Sequence, residues 1–264
     1  MKIDLIYVYC LTNSPPDLGH NNELPGLISV SINGFFVIAK IVQYNEFSEE
    51  NFKKHLSDIK WLETNAREHI RVIGIIMMNN TVVPFKFGTI FQNKTNLKKF
   101  ITDYSDSLNH NFFHIEGKEE WSVKIYCDRR TLSGKIDELS EEAAELEKQI
   151  MESSPGKAFL LNRKKADIIG NEMDMICKQY GQEYFDVFKN LSESVILNNL
   201  LPKEITGREE TMILNAAFLL NKNKLADFKR SADLMNKKDG KSGFLIETTG
   251  PWPPFSFISI KELQ

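Results

Sequence analysis

The chain has 264 residues, enough for one large or two small domains, and its 42% hydrophobic and 26% charged residues are typical of a folded globular protein. A net charge of −3, with basic and acidic residues interleaved, excludes nucleic acid as an expected partner. The longest apolar stretch, at 72–83, is interrupted by Gly74 and by polar residues, so it falls short of the ~20 apolar residues that span a bilayer, and no membrane partner is expected.

The first predicted elements are strands. Residues 4–9 have the β-branched and aromatic content of a strand, and residues 12–25, with two adjacent prolines, are typical of a loop. Residues 27–31 and 35–42 are predicted as two strands joined by Asn33-Gly34. This dipeptide predicts a tight hairpin, because both residues tolerate positive φ.

Helices and strands then alternate up to residue 127. Ser48 is predicted to cap a helix that has Glu49 and Glu50 in its first turn, where acidic side chains interact favourably with the helix dipole. Apolar residues at helical spacing indicate two further helices. The predicted elements of this part are helices at 48–59, 64–79 and 97–108 and strands at 84–90 and 121–127.

The middle of the chain predicts a helical hairpin at about 133–198. Its first helix begins near Ser133 and carries an apolar seam with the 3-4-3-4 spacing of a coiled coil. The seam consists of Ile136, Leu139, Ala143, Leu146 and Ile150. A turn at 153–156 and a second helix at 162–198 would complete an antiparallel coiled coil that protrudes from the fold. Alternatively, both helices lie flat on a sheet, and residues 158–161 could form a short strand between them.

The last third returns to strand, helix and strand, at 212–220, 224–237 and 244–248, followed by a proline-rich tail at 250–264. A short motif at the start of a predicted helix occurs twice in the chain, as Asn93-Lys94-x-x-Leu97-x-x-Phe100 and as Asn221-Lys222-x-x-Leu225-x-x-Phe228. The match is either a coincidence or the trace of two related halves.

These patterns together predict an α+β fold of two ferredoxin-like halves, each with a four-stranded sheet backed by two helices. We expect an N-terminal domain at 1–128 and a C-terminal domain at 129–264. The second domain would contain both the helical hairpin and the tail.

The motifs of common active sites do not occur in the sequence. It contains no GxGxxG, no GxxxxGK[ST], no GxSxG and no HExxH. Cys10, Cys127 and Cys177 are far apart and show no CxxC spacing, so we expect no zinc or redox site, and their odd number fits a reducing cytoplasm. Cys10 and Cys127 fall in apolar strand-like runs, so we expect these two thiols to be buried. We therefore predict no catalytic residue, no cofactor, no metal site and no enzyme.

The tail carries the most distinctive string, Glu-Thr-Thr-Gly-Pro-Trp-Pro-Pro-Phe-Ser-Phe at 247–257. It resembles the terminal motif of the gas vesicle F/L proteins, and further matches to that family follow in the same order at 5–9, 84–89, 121–126, 156–161 and 214–220. Lys86 stands where the family often has arginine; lysine keeps the charge but loses the guanidinium fork.

The resemblance implies a cytoplasmic role in building the gas vesicle, as an assembly protein or a minor structural component. It implies two kinds of partner, the small and very hydrophobic major shell protein and other accessory gas vesicle proteins. It also implies two α+β domains with a helical hairpin, and no cofactor. The alternative from another functional class is a small-molecule-binding regulatory module made of ferredoxin-like domains.

Several features are candidates for binding these partners. An open sheet edge could add a strand of the shell protein. The tail would offer Trp252, Phe255 and Phe257 as an exposed aromatic surface; alternatively, it packs on its own protein, with Trp252 between the two halves. The remaining candidate partner-binding residues are Lys86, Glu141 and Glu145, the last two on the polar face of the hairpin.

Overall fold

The structure, a computed structural model, describes residues 4–18 and 25–259, except for the side chains of residues 137–139. The chain divides into two compact units. The first runs up to Glu120 and includes the segment that starts at Pro251, and the second is Trp121–Gly250. The predicted loop at 12–25, the side chain of the seam residue Leu139 and the predicted tail beyond residue 259 lie wholly or partly outside the described residues.

The sheet of the first unit confirms the predicted hairpin. Asn33 and Gly34 have φ values of 50° and 84°, which let the chain turn back on itself within two residues. The strand order is β2-β3-β1-β4, and a short β5 also pairs with β1. These strands are β1 Asp4–Thr12, β2 Leu27–Ile32, β3 Phe35–Gln43, β4 Val82–Pro84 and β5 Ile90–Phe91.

The helices of the first unit are α1 Tyr44–Phe47, α2 Glu49–His55, α3 Ile59–Met77, α4 Lys94–Asp103 and α5 Ser105–Ile115. Helix α2 begins after Ser48 as predicted, although the Ser48 side chain makes no capping hydrogen bond. Helix α3 begins earlier than predicted, because the carboxylate of Asp58 accepts hydrogen bonds from the backbone N–H groups of Lys60 and Trp61.

The predicted strand at 84–90 is wrong. The chain leaves β4 at Pro84, makes a loop at 85–89 and re-enters the sheet as β5. Gly88 has a φ of 85°, and Thr89 donates its backbone N–H to the carbonyl of Lys86 at 3.1 Å. A glycine in this conformation turns the chain, so the alternating pattern of the sequence does not become one strand.

The second sheet has the strand order β7-β8-β6-β9. Its strands are β6 Lys118–Cys127, β7 Ser194–Leu197, β8 Thr211–Asn221 and β9 Phe244–Trp252, and the helices that accompany them are α6 Arg129–Leu139, α7 Glu141–Met151, α8 Pro155–Asn190, α9 Lys203–Thr206 and α10 Leu225–Asp239. The long elements follow the β-α-β-β-α-β order of a ferredoxin-like unit. In the described part of the first unit, no helix lies between β1 and β2.

The helical hairpin differs from its prediction in three places. The first helix is interrupted at Ser140, whose Oγ accepts a hydrogen bond from the N–H of Ala143 and so starts α7. Residues 158–161 are helical, because α8 begins at Pro155. The second helix ends at Asn190 instead of 198, because residues 194–197 pair with β8.

The two arms of the hairpin run antiparallel. Lys165 on α8 pairs with Glu147 on α7 at 2.7 Å, and further along Ser140 donates to Glu172 at 3.2 Å. Ala143 and Leu146 are the buried residues of α7, as the predicted seam requires. A regular coiled coil stays a prediction.

Both copies of the repeated motif start a helical segment with an asparagine side chain that accepts a backbone hydrogen bond. The Asn93 side chain accepts a hydrogen bond from the N–H of Asn96, and the Asn221 side chain accepts one from the N–H of Asn223. Leu97 in the first copy and Phe228 in the second are fully buried, but they occupy different positions of the motif. The equivalent residues Phe100 and Leu225 are only half-buried, and a common origin of the two halves stays a prediction.

Candidate partner-binding surfaces

Strand β7 forms one edge of the second sheet and carries exposed apolar side chains. Its inner neighbour is β8, with Ser194 opposite Leu219 and Leu197 opposite Ala216. Leu197 has 63% of its surface exposed, and Leu200 has 54%. Ile196 and, beyond it on α9, Ile205 are also exposed. We call residues 194–205 the apolar edge segment.

The apolar edge segment is held in place by its neighbours. The N–H of Asn198 donates to the carbonyl of Asn215, and the Asn215 side chain donates to the carbonyl of Asn199, both at 2.8 Å. Val195 packs against the core cluster that includes Phe188 and Phe218. The exposed leucines are therefore displayed on an ordered backbone.

The loop at 85–89 is fixed by a chain of buried hydrogen bonds. The N–H of Gly88 donates to the Tyr7 hydroxyl at 3.2 Å, and this hydroxyl lies 2.9 Å from Nδ1 of His69. The other ring nitrogen, Nε2, lies 2.8 Å from the carbonyl of Phe85. A carbonyl only accepts, so Nε2 carries the proton and Nδ1 accepts from Tyr7. Every polar group in this buried series of hydrogen bonds has a partner.

Burial controls the protonation of this network. Desolvation lowers the pKa of His69 to about 4, and the hydrogen bond to Phe85 opposes this shift only in part. Desolvation also raises the pKa of Tyr7, and it raises the pKa of Tyr9 to about 12. At neutral pH the imidazole and both hydroxyls are uncharged. His69 was not among the predicted site residues, although its place on the same helical face as Val72, Ile73 and Ile76 could have indicated its burial.

Lys86 is exposed on this fixed loop. Its own carbonyl accepts hydrogen bonds from the backbone N–H and the hydroxyl of Thr89, at 3.1 Å and 2.7 Å. The backbone under the lysine is thus ordered while its side chain reaches solvent. This geometry suits a role in binding, which stays a prediction.

The tail packs on the first unit. Phe257 is 8% exposed, and Phe255 packs against the core of that unit beside His69. The Ser256 hydroxyl and N–H donate to the two carboxylate oxygens of Glu120 at 2.6 Å and 3.1 Å. Trp252 is 44% exposed. Of the three predicted tail aromatics, the structure therefore exposes mainly Trp252.

A second pair of hydrogen bonds holds the end of the described tail. The Asn111 side chain accepts a hydrogen bond from the N–H of Ser259 at 3.1 Å and donates to its carbonyl at 3.2 Å. The Glu120 carboxylate, which accepts the two hydrogen bonds from Ser256, is buried. This burial raises its pKa, while the hydrogen bonds oppose the shift. Such paired bonds hold the backbone at 256–259 in one position.

Helix α7 of the hairpin has an inner apolar face and an outer acidic face. Glu141 and Glu145 on α7 are exposed, and Gln149 donates to Glu145 at 3.3 Å. At the tip of the hairpin, three large apolar side chains are exposed that do not belong to the predicted apolar seam. They are Met151 at 76%, Phe159 at 69% and Leu160 at 66%.

The described residues were searched for metal-binding groups, membrane spans and cavities. Within 4–18 and 25–259, no group of three or more His, Cys, Asp or Glu side chains could hold a metal ion, and no helix there is long and apolar enough to cross a membrane. Cys10 and Cys127 are buried free thiols, as predicted, and Cys177 is a third. A cavity of about 350 Å³ in the first unit is lined by residues that include Tyr7 and Glu68.

The architecture is that of solved gas vesicle proteins. The fold resembles the crystal structure of GvpF from Anabaena sp. PCC7120, with a TM-score of 0.70 and 20% sequence identity over 98% of this chain and 100% of that one. It also resembles GvpF from Microcystis aeruginosa, with a TM-score of 0.64 and 20% identity over the same shares. The chain thus has the α+β fold of this class of protein.

Residues 5–259 match the model of the family described as gas vesicle synthesis protein GvpL/GvpF, and the chain belongs to this family. It is 25% identical to gas vesicle protein L of Streptomyces sp. strain CB03234, covering 98% of this chain and 94% of that protein. It is 23% identical to gas vesicle protein F of Dolichospermum flosaquae, covering 89% and 90%. Its role is therefore a gas vesicle role, in a family that is not a known enzyme family.

Proposed function

We propose that this protein is a cytoplasmic gas vesicle assembly factor or minor structural component that binds the hydrophobic major shell protein. The observation that carries the proposal is the apolar edge segment, where Leu197 and Leu200 are more than half exposed on an ordered backbone. Large apolar side chains grouped at one site mark a surface that contacts another molecule.

The physical need for such a partner follows from the shell protein itself. A subunit with a large apolar surface aggregates before it is assembled, because that surface is open to other copies. A protein that covers part of the surface keeps the subunit soluble. The apolar edge segment supplies matching apolar area, and it does so without unfolding its own sheet.

Other accessory gas vesicle proteins form the second group of proposed partners. The exposed carboxylates of Glu141 and Glu145 suit a reversible polar contact on the outer face of α7. Lys86 and Trp252 are further proposed contact residues, since both are displayed by backbone that is held within the first unit.

The test is co-expression of the tagged chain with the major shell protein, followed by measurement of soluble shell protein that co-purifies. The double variant Leu197→Ser/Leu200→Ser should lower this amount severalfold. The matched control is Met175→Ser/Leu234→Ser, which removes two apolar side chains of 64% and 57% exposure from helices of the same unit. Equal capture by both double variants, or no capture by the native chain, would reject the proposal.

The alternative, a small-molecule-binding regulatory module, draws its support from the cavity in the first unit. Several of its polar groups are already engaged, because Tyr7 bonds to His69 and Glu68 forms an ion pair with Arg71. A ligand would have to compete with these bonds. We therefore favour the assembly role.

A further inference from the structure

We infer that β7 is a strand-addition site, where an extended, uncharged and apolar strand of the partner pairs with the open edge and continues the second sheet. The inference rests on the proposed function and specifies how the apolar edge segment would hold the shell protein. It concerns backbone hydrogen bonds, whereas the proposed function needs only contact with apolar side chains.

The hydrogen bonds of β7 to β8 show which backbone groups point outward. Asn198 donates its N–H to the carbonyl of Asn215 at 2.8 Å, and the register places Ile196 opposite Ala217. In an antiparallel ladder, alternate residues direct both N–H and C=O to the same neighbour. Residues 194, 196 and 198 therefore face β8, so the N–H and C=O groups of Val195 and Leu197 point to the open edge.

The edge strands of the two sheets differ in how they are protected against pairing. Strand β4 has three residues and ends at Pro84, and β9 contains Glu247 and Pro251. Strand β2 carries no charge and no proline either, but its exposed positions are the polar Ser29 and Ser31 instead of large apolar residues. Charges, prolines and short length are the usual devices that prevent edge-to-edge association.

Strand β7 is also short, with four residues, but it carries neither a charge nor a proline. Residues 194–201 read Ser-Val-Ile-Leu-Asn-Asn-Leu-Leu, with no charge and no proline. Successive side chains of a strand point to opposite faces, so Ile196 and Leu197, which are 37% and 63% exposed, offer apolar contacts on both faces of an added strand. The absence of charge in this run fits an uncharged, apolar partner strand.

The edge is also ordered before any partner arrives. Val195 is anchored in the core, and Asn215 bonds to the backbone on both sides of the Asn198–Asn199 peptide. An edge that is already extended loses little conformational entropy on binding. Strand addition therefore requires ordering of the partner strand rather than of β7.

The test uses one position and two substitutions in the full chain. Leu197→Pro removes the outward N–H and places a ring where a partner carbonyl would approach, while the bonds between β7 and β8 stay intact. Leu197→Val is the matched control, because valine has three side-chain carbons, as proline does, but keeps the backbone N–H. Circular dichroism checks that both variants fold.

Co-purification of the co-expressed major shell protein should fall at least roughly tenfold for Leu197→Pro, since a partner hydrogen bond is lost and steric conflict is added, and should change less than about threefold for Leu197→Val. Hydrogen exchange resolved to single amides gives the second readout. The amides of Val195 and Leu197 should exchange quickly in the chain alone and slowly in the complex.

The outcomes separate the inference from the proposed function. If the Leu197→Pro chain captures shell protein as well as the Leu197→Val chain and both outward amides still exchange quickly, strand addition is wrong while apolar binding stands. If the native chain captures no shell protein, the proposed function fails and the inference fails with it. If the chain alone forms a dimer that Leu197→Pro dissociates, the strand that occupies the edge is a second copy, and the proposed occupant is wrong.

Discussion

Acidification should destabilise the first unit through His69. The imidazole is 1% exposed, and burial holds its pKa at about 4, below the ordinary value of 6.5. The folded state thus binds the proton less well than the unfolded state does. Stability from this residue is fully present above about pH 6.5, and it is lost as the pH falls through 6.5 towards 4.

The size of the effect follows from the two pKa values. A difference of about 2.5 pKa units corresponds to about 3 kcal/mol when the residue is fully protonated in both states. Between about pH 7.5 and about pH 5, the free energy of unfolding should fall by about 2 kcal/mol from this residue alone. The charge itself is the cause, since a protonated ring would be buried among aromatic side chains.

Urea unfolding of the native chain and of His69→Gln at several pH values measures the contribution of His69 to the free energy of unfolding. Glutamine does not titrate, and its amide can still donate to the Phe85 carbonyl and accept from Tyr7. The native chain should lose about 2 kcal/mol more than the variant over this interval. An NMR titration of the His69 ring should give a midpoint near 4. Parallel pH curves for the two proteins, or a midpoint near 6.5, would refute the reasoning.

Three further predictions concern the candidate surfaces. Trp252→Ala should weaken capture of shell protein without lowering the melting temperature, because the side chain is 44% exposed; a marked loss of stability with normal capture would show that it is structural. Gly88→Ala should destabilise the chain by about 1–3 kcal/mol in thermal unfolding, since φ is 85° and the new Cβ would lie 2.6 Å from the ring of Phe52. Charge reversal at Glu141 and Glu145 should change the capture of accessory proteins in a salt-dependent way while circular dichroism shows unchanged helix content; unchanged capture at all salt concentrations would leave the hairpin a structural role.

Local chemistry explains where the sequence predictions agree with the fold. The Asn33-Gly34 turn and the Asn93 cap depend on residues within three positions of each other. Their conformations are decided by φ preferences and by short side-chain to backbone bonds. Such features can be predicted from sequence because no distant residue is needed to form them.

Short apolar runs explain where the predictions fail. The run at 84–90 alternates like a strand but turns at Gly88, and the run at 194–197 continues a helical pattern but pairs with β8. A run of four to eight apolar residues fits a strand or a helix equally well. The strand or helix that lies beside the run decides between the two. For this reason the sequence predicts a helix at 194–197, where the structure has the edge strand β7.

The α+β class, the resemblance to the family and the tight turn at Asn33-Gly34 could be predicted from local residue patterns. Which apolar residues are exposed and which polar residues meet depends on how the elements pack. Tyr7 and His69 are 62 residues apart, and Glu120 and Ser256 are 136 apart, yet each pair forms a hydrogen bond. The physical reason is that such contacts form only when the packing of whole sheets and helices has offset the entropy of closing long loops, and no local pattern records that balance.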